Sequence, residues 1–340
     1  MKLLAFVVGL CIGVSSSKAF ANELELIFYR APKPINWTTP GNLVRSSLKN
    51  MRFRVNGRLY PHSISHVNVR LQCGNEPSIY RGMTNTKSDA SYVWDFLGKG
   101  LGLDVLIINV PGRFYTEEQI LHWLPTLKAK GYVRSLKLIL NDDQCARVQR
   151  YIKLYEELRL ERIYGGLRST AHYGQGAGCA AYAVSFLQIL DFFPESMDKH
   201  WRRKLLIPLE LLSSQTRSAR IGFFGYLRGK DRAWASPNEK HIPLEFWDPE
   251  LMYNWVGNVI KDKKNFPPHM WTEKDPKTPF QSLVWDVRSY PTSTKYFFAY
   301  RRGTLDNTVD YHIRNRNRLM TDEEIVNQSP RKCRLFQPCP

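Results

Sequence analysis

Stretches of period two give the clearest pattern in the chain. In SISHVNVRLQC, Val67, Val69 and Leu71 alternate with His66, Asn68, Arg70 and Gln72, which predicts a strand with one apolar and one polar face. The alternation sets His66 on the polar face, towards solvent or a cleft. Leu24 to Tyr29 reads as an earlier strand, and Gly74-Asn75-Glu76-Pro77 as a turn into a returning strand from Ser78 to Met83. Asp104 to Val110 (DVLIINV) predicts a mostly apolar strand stopped by Pro111-Gly112, and Leu136 to Leu140 predicts another.

Helical spacing is interleaved with these runs. Thr116-Glu117-Glu118-Gln119 carries an N-terminal threonine and early acids, and opens a helix to about Lys130. Asn141-Asp142-Asp143-Gln144 caps a helix to about Arg162, with Val148, Ile152, Tyr155 and Leu158 on its inner face. Ala180, Ala183, Val184, Leu187 and Leu190 recur at helical spacing, so Cys179 falls in the first turn of an amphipathic helix that stops near Pro194. The pattern predicts an α+β core over residues 22–197. Residues 198–340, rich in Trp, Tyr, Phe and Pro, read as a C-terminal extension packed on that core.

The first residues change the picture of where the chain works. An early lysine, an apolar run from Leu3 to Val14 and a small-residue site ending Ala19-Phe20-Ala21 predict a signal peptide over 1–21 and an exported protein, periplasmic or secreted. Removing that segment takes away Lys2 and Lys18 and no acid, so the formal charge falls from +18 to +16. A basic surface of this size favours anionic partners such as acidic envelope polymers or lipid headgroups. No nucleic-acid motif is present, and no later apolar run is long enough to span a membrane.

Cys73, Cys145, Cys179, Cys333 and Cys339 remain after the signal segment. An oxidising compartment favours pairs and an odd count leaves one thiol over. Cys333 and Cys339 are spaced to close a short C-terminal loop. Cys73, ending a predicted strand, and Cys145, opening a predicted helix, form a second candidate pair. Cys179 is then the free thiol, although leaving it out still allows three connectivities.

Cys179 is also where the chemistry points. Gly174, Gly176 and Gly178 lead into it, which clears side chains from the approach of a substrate carbonyl. A thiol in the first turn of a helix meets the positive end of the helix dipole, which lowers its pKa. A buried core cysteine is the competing reading. His62 reads as an exposed loop histidine and His172 as a loop residue. There is no HExxH, CxxC or GxSxG, and Gly174-Gln-Gly-Ala-Gly lacks the lysine of a phosphate loop, so neither a metal nor another cofactor is expected. Trp247, Trp255, Trp271 and Trp285 suit core packing better than stacking on sugars.

Taken in order, a histidine on a strand (SHVNVRL), a strand leading to a polar-capped helix (LKLILNDDQCARVQRYI), Tyr164-Gly165-Gly166 and a cysteine at a helix start resemble a known arrangement. It is similar to the circularly permuted branch of the NlpC/P60 papain-like superfamily, with lecithin:retinol acyltransferase-like topology, over roughly residues 40–215. That resemblance implies a papain-like core of antiparallel strands packed with helices. It also implies Cys179 as nucleophile, His66 as base in a thiolate–imidazolium pair, and Tyr164 with the Cys179 backbone N–H supporting an oxyanion. A third polar group, expected on the returning strand at 78–84, would orient the imidazole. The implied activity is a cysteine hydrolase of amidase, peptidase or acyl-transfer type, acting on a peptidoglycan peptide or an acyl-lipid. The sequence departs from the family at Gly178-Cys179-Ala180, where Asp-Cys-Ser is common, and the unpermuted order would use His241 in place of His66. An inactive envelope-binding protein with the same fold is therefore the alternative.

Overall fold

The strands that build the centre of the molecule are those whose apolar residues fall on every second position. The computed structural model describes residues 22–86, 103–107, 109–167, 171, 176–212, 233–262, 266, 269–294 and 297. Within them, β1 (Asn22–Tyr29) pairs antiparallel with β4 (His66–Gln72) and with β8 (Val133–Leu140). The registers Leu24↔Leu71, Leu26↔Val69 and Phe28↔Val67 line apolar side chains up across the strands, and Leu26↔Leu136 and Leu24↔Leu138 extend the row. A shift of one residue would turn every one of these to the other face, so burial fixes the register.

Six strands make this sheet, in the order β12 (Met270–Lys274), β13 (Gln281–Asp286), β8, β1, β4 and β5 (Ile79–Arg81). Strand β5 is one edge; β12 and β13 complete the other. β13 runs parallel to β8, with Leu283 opposite Leu136, so the sheet is mixed where antiparallel strands alone were expected. The segment read as an extension after residue 198 thus supplies two strands of the central sheet. Trp247 and Trp285 are buried and Trp255 packs on the same core, while Trp271 on the edge strand β12 is exposed.

Helices cover both faces. α3 (Asp142–Glu157), α4 (Cys179–Ile189) and α5 (Pro249–Lys261) contribute Val148, Tyr155, Tyr182, Phe186 and Val256 to one cluster with the apolar row of the sheet. The opposite face receives Leu124 and Leu127 of α2 (Glu117–Ala129), which pack with Ile27, Tyr29 and Val133. The chain is α+β. α2 and α3 both begin with reciprocal caps, Thr116 with Gln119 and Asn141 with Gln144, as their sequences predict. α3 stops at Glu157, short of Arg162, because Arg159 turns left-handed (φ 55°) before a 3-10 turn over Leu160–Arg162.

Three elements differ from the sequence pattern. The run expected as a strand from Asp104 to Val110 holds a 3-10 turn, Leu103–Leu106, and the strand is β7 (Val110–Phe114), through the Pro111-Gly112 pair that seemed to end it. A short apolar run does not distinguish a strand from a buried helical turn. Gly112 is needed in β7 because a side chain there would meet the Glu161 carbonyl and the Tyr164 nitrogen, both 2.6 Å from an added Cβ. The returning strand is split at Gly82: β5 pairs with β4, while β6 (Met83–Asn85) joins β7 and β9 (Ile163–Tyr164) in a separate three-stranded sheet. Helix α4 is apolar all round rather than amphipathic, with ten of its eleven residues buried.

Cys73 and Cys145 are joined as a disulfide with their Cα atoms 5.9 Å apart, and Cys179 is free. The bond ties the end of β4 to the first turn of α3, two positions the strand and cap patterns already placed at element ends. Cys333 and Cys339 lie outside the described residues, as do His172, Gly174 and the whole of 1–21. No helix among the described residues is long and apolar enough to cross a membrane.

Candidate functional site around Cys179 and His66

The start of α4 is held against the start of β4. Gly178 is the N-cap of α4, and an added Cβ there would stand 2.5 Å from the Gly166 carbonyl; at Gly176 (φ +77°) it would stand 2.4 Å from the Ile163 carbonyl. These two glycines therefore let the chain leading into Cys179 pack on β9 and the segment after it. What they supply here is close packing.

Cys179 is 8 % exposed, and the Tyr164 hydroxyl donates to its sulfur at 4.0 Å. Burial pushes the thiol pKa up, and this outweighs the backbone N–H of Val67, the Tyr164 hydroxyl and the N–H groups of Ala180 and Cys179, all of which act to lower it. The lowered pKa expected from the helix start is thus reversed by desolvation. The Val67 contact also locates the sulfur. It lies against β4 one residue from His66, where the strand has no β5 partner, since β5 pairs only with Val69, Arg70 and Leu71.

His66 is buried, at 6 % exposure, on the polar face of β4. Its Nε2 is 2.9 Å from Asn68 Oδ1, and Asn68 Nδ2 donates to the Tyr29 hydroxyl at 3.2 Å. Asn68 Oδ1 can only accept, so in this arrangement the ring proton sits on Nε2. This leaves Nδ1 as the basic nitrogen. Burial holds the His66 pKa down at about 4, against the opposing effect of Asn68, so the ring is neutral at pH 7. Among the described residues no hydrogen bond joins His66 to Cys179. A neutral thiol and a neutral imidazole occupy the resting site, in place of the thiolate–imidazolium pair that the family resemblance implies.

Strand alternation already put Asn68 on the face of His66; the sequence reading sought the orienting group on the next strand instead. What the next strand supplies is room. An added Cβ at Gly82 would stand 1.9 Å from Asn68 Oδ1 and 3.4 Å from His66 Nε2. His62, expected as an exposed loop residue, is buried and stacks on His66 with ring centroids 4.6 Å apart and planes 6° from parallel. Its Nδ1 has no hydrogen-bond partner among the described residues, and burial holds its pKa well below the usual histidine value. The left-handed backbone at Ser65 (φ 72°) makes the turn that folds His62 back over His66. Tyr115 closes the cluster edge-on, 5.2 Å from the His66 ring. His241 instead begins β11 (His241–Trp247), where its Nδ1 lies 2.7 Å from the Glu239 carbonyl.

A cavity of about 240 Å³ opens beside this cluster. Trp37, Val44, Leu48, Met51, Leu167 and Phe246 give it an apolar wall, and His62, His66, Tyr115 and Tyr164 bring polar atoms to it. Cys179 is not part of that wall; Tyr164 both lines the cavity and touches the sulfur. Among the described residues no group of three or more His, Cys, Asp or Glu side chains is placed to hold a metal ion. No protein-family model matches the chain, and neither does any curated protein or any solved structure.

Proposed function

We propose that this protein is an exported cysteine acyl hydrolase or acyltransferase with a papain-like site, acting on an ester or amide whose apolar chain occupies the cavity. The observation that carries the reading is Tyr164, whose hydroxyl reaches the Cys179 sulfur while its side chain lines the same cavity as His66. Cys179 is the nucleophile and His66 Nδ1 the base. Asn68 is a positioning residue that fixes the tautomer through Nε2.

The chemistry balances without a metal ion or redox partner. The thiol proton passes to His66 Nδ1 as the sulfur bonds to the substrate carbonyl carbon, and the carbonyl π pair moves onto oxygen. Tyr164 and the backbone N–H groups near the sulfur stabilise that oxyanion. When the intermediate collapses, the C–O or C–N bond breaks and His66 returns its proton to the leaving alcohol or amine. Water or an acceptor alcohol then cleaves the thioester by the same route. The apolar wall favours an acyl-lipid over a peptidoglycan peptide, whose polar groups would be left unpaired there.

Three observations favour a second reading, an inactive protein that binds an apolar ligand. The thiol is buried, its pKa is raised, and it lies off the cavity wall. Incubation with p-nitrophenyl octanoate and p-nitrophenyl acetate, followed by intact and peptide mass spectrometry, separates the two. The enzyme reading expects a burst of p-nitrophenolate, an octanoyl adduct on Cys179, and preference for octanoate over acetate. His66→Ala should slow acylation by about 10²–10⁴-fold. Octanoate bound in the cavity with no adduct on Cys179 would establish the binding protein instead.

A further inference from the structure

Between Glu25 and Glu76 the chain has no acidic residue and eight lysines and arginines. Part of this stretch forms α1 and the hairpin that directly follows it. In α1 (Pro40–Met51), Val44, Leu48 and Met51 follow one another at helical spacing and line the apolar cavity. Arg45, Lys49 and the C-cap Arg52 form the neighbouring stripe, about 100° round the helix, so they flank the cavity wall. The chain then makes a tight hairpin, β2 (Arg54–Val55) and β3 (Arg58–Leu59), across Asn56 and Gly57, both left-handed.

Lys49, Arg52, Arg54 and Arg58 are exposed, and none is ion-paired to an acid among the described residues. Arg54 Nη1 donates to the Gly57 carbonyl at 2.7 Å, and Arg58 Nη1 lies 2.7 Å from His122 Nε2. The same stretch carries two large exposed aliphatic side chains: Leu59, 54 % exposed and opposite Arg54 in the hairpin, and Ile64, 51 % exposed and lining the cavity with Leu48 and Met51 of α1. Exposed apolar residues within a basic stretch are destabilised in water and stabilised in the acyl boundary of a bilayer, where the cations meet lipid phosphates.

We propose that the face made by α1, the β2–β3 hairpin and Ile64 docks on an anionic phospholipid bilayer and sets the cavity against the membrane. The four exposed cations supply charge complementarity to the headgroups. Leu59 and Ile64 distinguish a bilayer from a soluble polyanion, which has no apolar layer to receive them. Continuity between Ile64 and the cavity gives an acyl chain a route that avoids water. The surface is defined without reference to the thiol, so docking and hydrolysis succeed or fail separately.

The test is co-sedimentation with phosphatidylcholine vesicles, with and without phosphatidylglycerol, using the full chain. All variants carry the same residues 1–21, so any binding by that segment cancels in the comparison. Binding is expected to strengthen with phosphatidylglycerol and to weaken between 0.1 and 1 M salt, as the Debye length falls from about 10 to about 3 Å. Lys49→Gln with Arg52→Gln should weaken it about 25-fold, at about fivefold per cation. Leu59→Ser with Ile64→Ser should weaken it about tenfold while leaving heparin retention unchanged. Cys179→Ala should bind as the unaltered chain does. If the serine pair binds vesicles normally, or if the glutamine pair does, the docking face is overturned. Loss with the glutamine pair alone, on vesicles and heparin equally, would identify a polyanion surface instead.

Discussion

The two faces of β4 are built by opposite means, one buried along its whole length and the other buried at His66 and Asn68 and half-buried at Arg70 and Gln72. On one, Val67, Val69 and Leu71 join Leu26, Phe28 and Leu136 beneath three helices, with nothing but apolar contact. On the other, Glu25 accepts from Arg70 Nε at 3.0 Å and from Ser135 at 2.7 Å, and Ser135 lies 2.8 Å from Ser282. The same face continues through Asn68 to His66 and Tyr29. An apolar face tolerates exchange of one hydrophobe for another of similar size. A buried polar face holds only while each group keeps its partner, which also fixes the direction in which each side chain points. The candidate chemistry lies where the two meet, with the sulfur at Val67 and the base at His66.

The largest effects test the stability of the two faces. Phe28→Ala removes a fully buried ring and should cost about 3–5 kcal/mol. Glu25→Ala leaves Ser135 and Arg70 without their shared acceptor. It should cost about 3 kcal/mol, towards the low end because Arg70 keeps Glu23 and is partly exposed. Urea unfolding measures both. If Glu25→Ala costs under about 1 kcal/mol, the polar face is an incidental surface rather than a second core.

Acid should weaken the histidine cluster on the polar face. The His66 pKa is held near 4, below the ordinary 6.5 of the unfolded chain, so stability is complete above about pH 6.5 and is lost as pH falls towards 4. Over that window His66 should contribute about 3 kcal/mol, and His62, also depressed, adds in the same direction. Thermal unfolding followed from pH 7.5 to 4.5 should show this fall, and His62→Phe should make it shallower. A fall that His62→Phe and His66→Gln leave unchanged would assign the acid sensitivity elsewhere.

The smallest perturbation aims at the junction. Gly82→Ala would push on Asn68 and should cost about 1–3 kcal/mol, with most of the protein still folded. Acylation of Cys179 per folded molecule should fall about 10²-fold, because a misplaced Asn68 frees the His66 ring to turn. Acylation retained in full by a folded Gly82→Ala chain would remove Asn68 from its positioning role.

Much of the scaffold was legible because it depends on local rules. The alternation around His66, the reciprocal caps at Thr116 and Asn141, and the helix beginning at Cys179 each follow from residues within a few positions of one another. The Asn56-Gly57 hairpin carries an equally local signal, an Asn-Gly pair between two short strands. The site was legible as a set of candidate residues, but not as an arrangement. His62 looked exposed because a histidine in a Pro/Ser-rich loop usually is, and only the turn at Ser65 stacks it on His66.

By itself, then, the sequence determined the α+β class, the strand bearing His66 and Asn68 on one face, and a free thiol at a helix start. Periodicity, capping and cysteine parity all act over short range or by count. Tertiary structure alone decided that β13 enters the central sheet beside β8 and that His66 and Asn68 on the polar side of β4 are buried. It also decided that desolvation overrides the helix dipole at Cys179. Each of these depends on which distant segment excludes water from a group, and that is set by long-range packing rather than by the residues next to it in the chain.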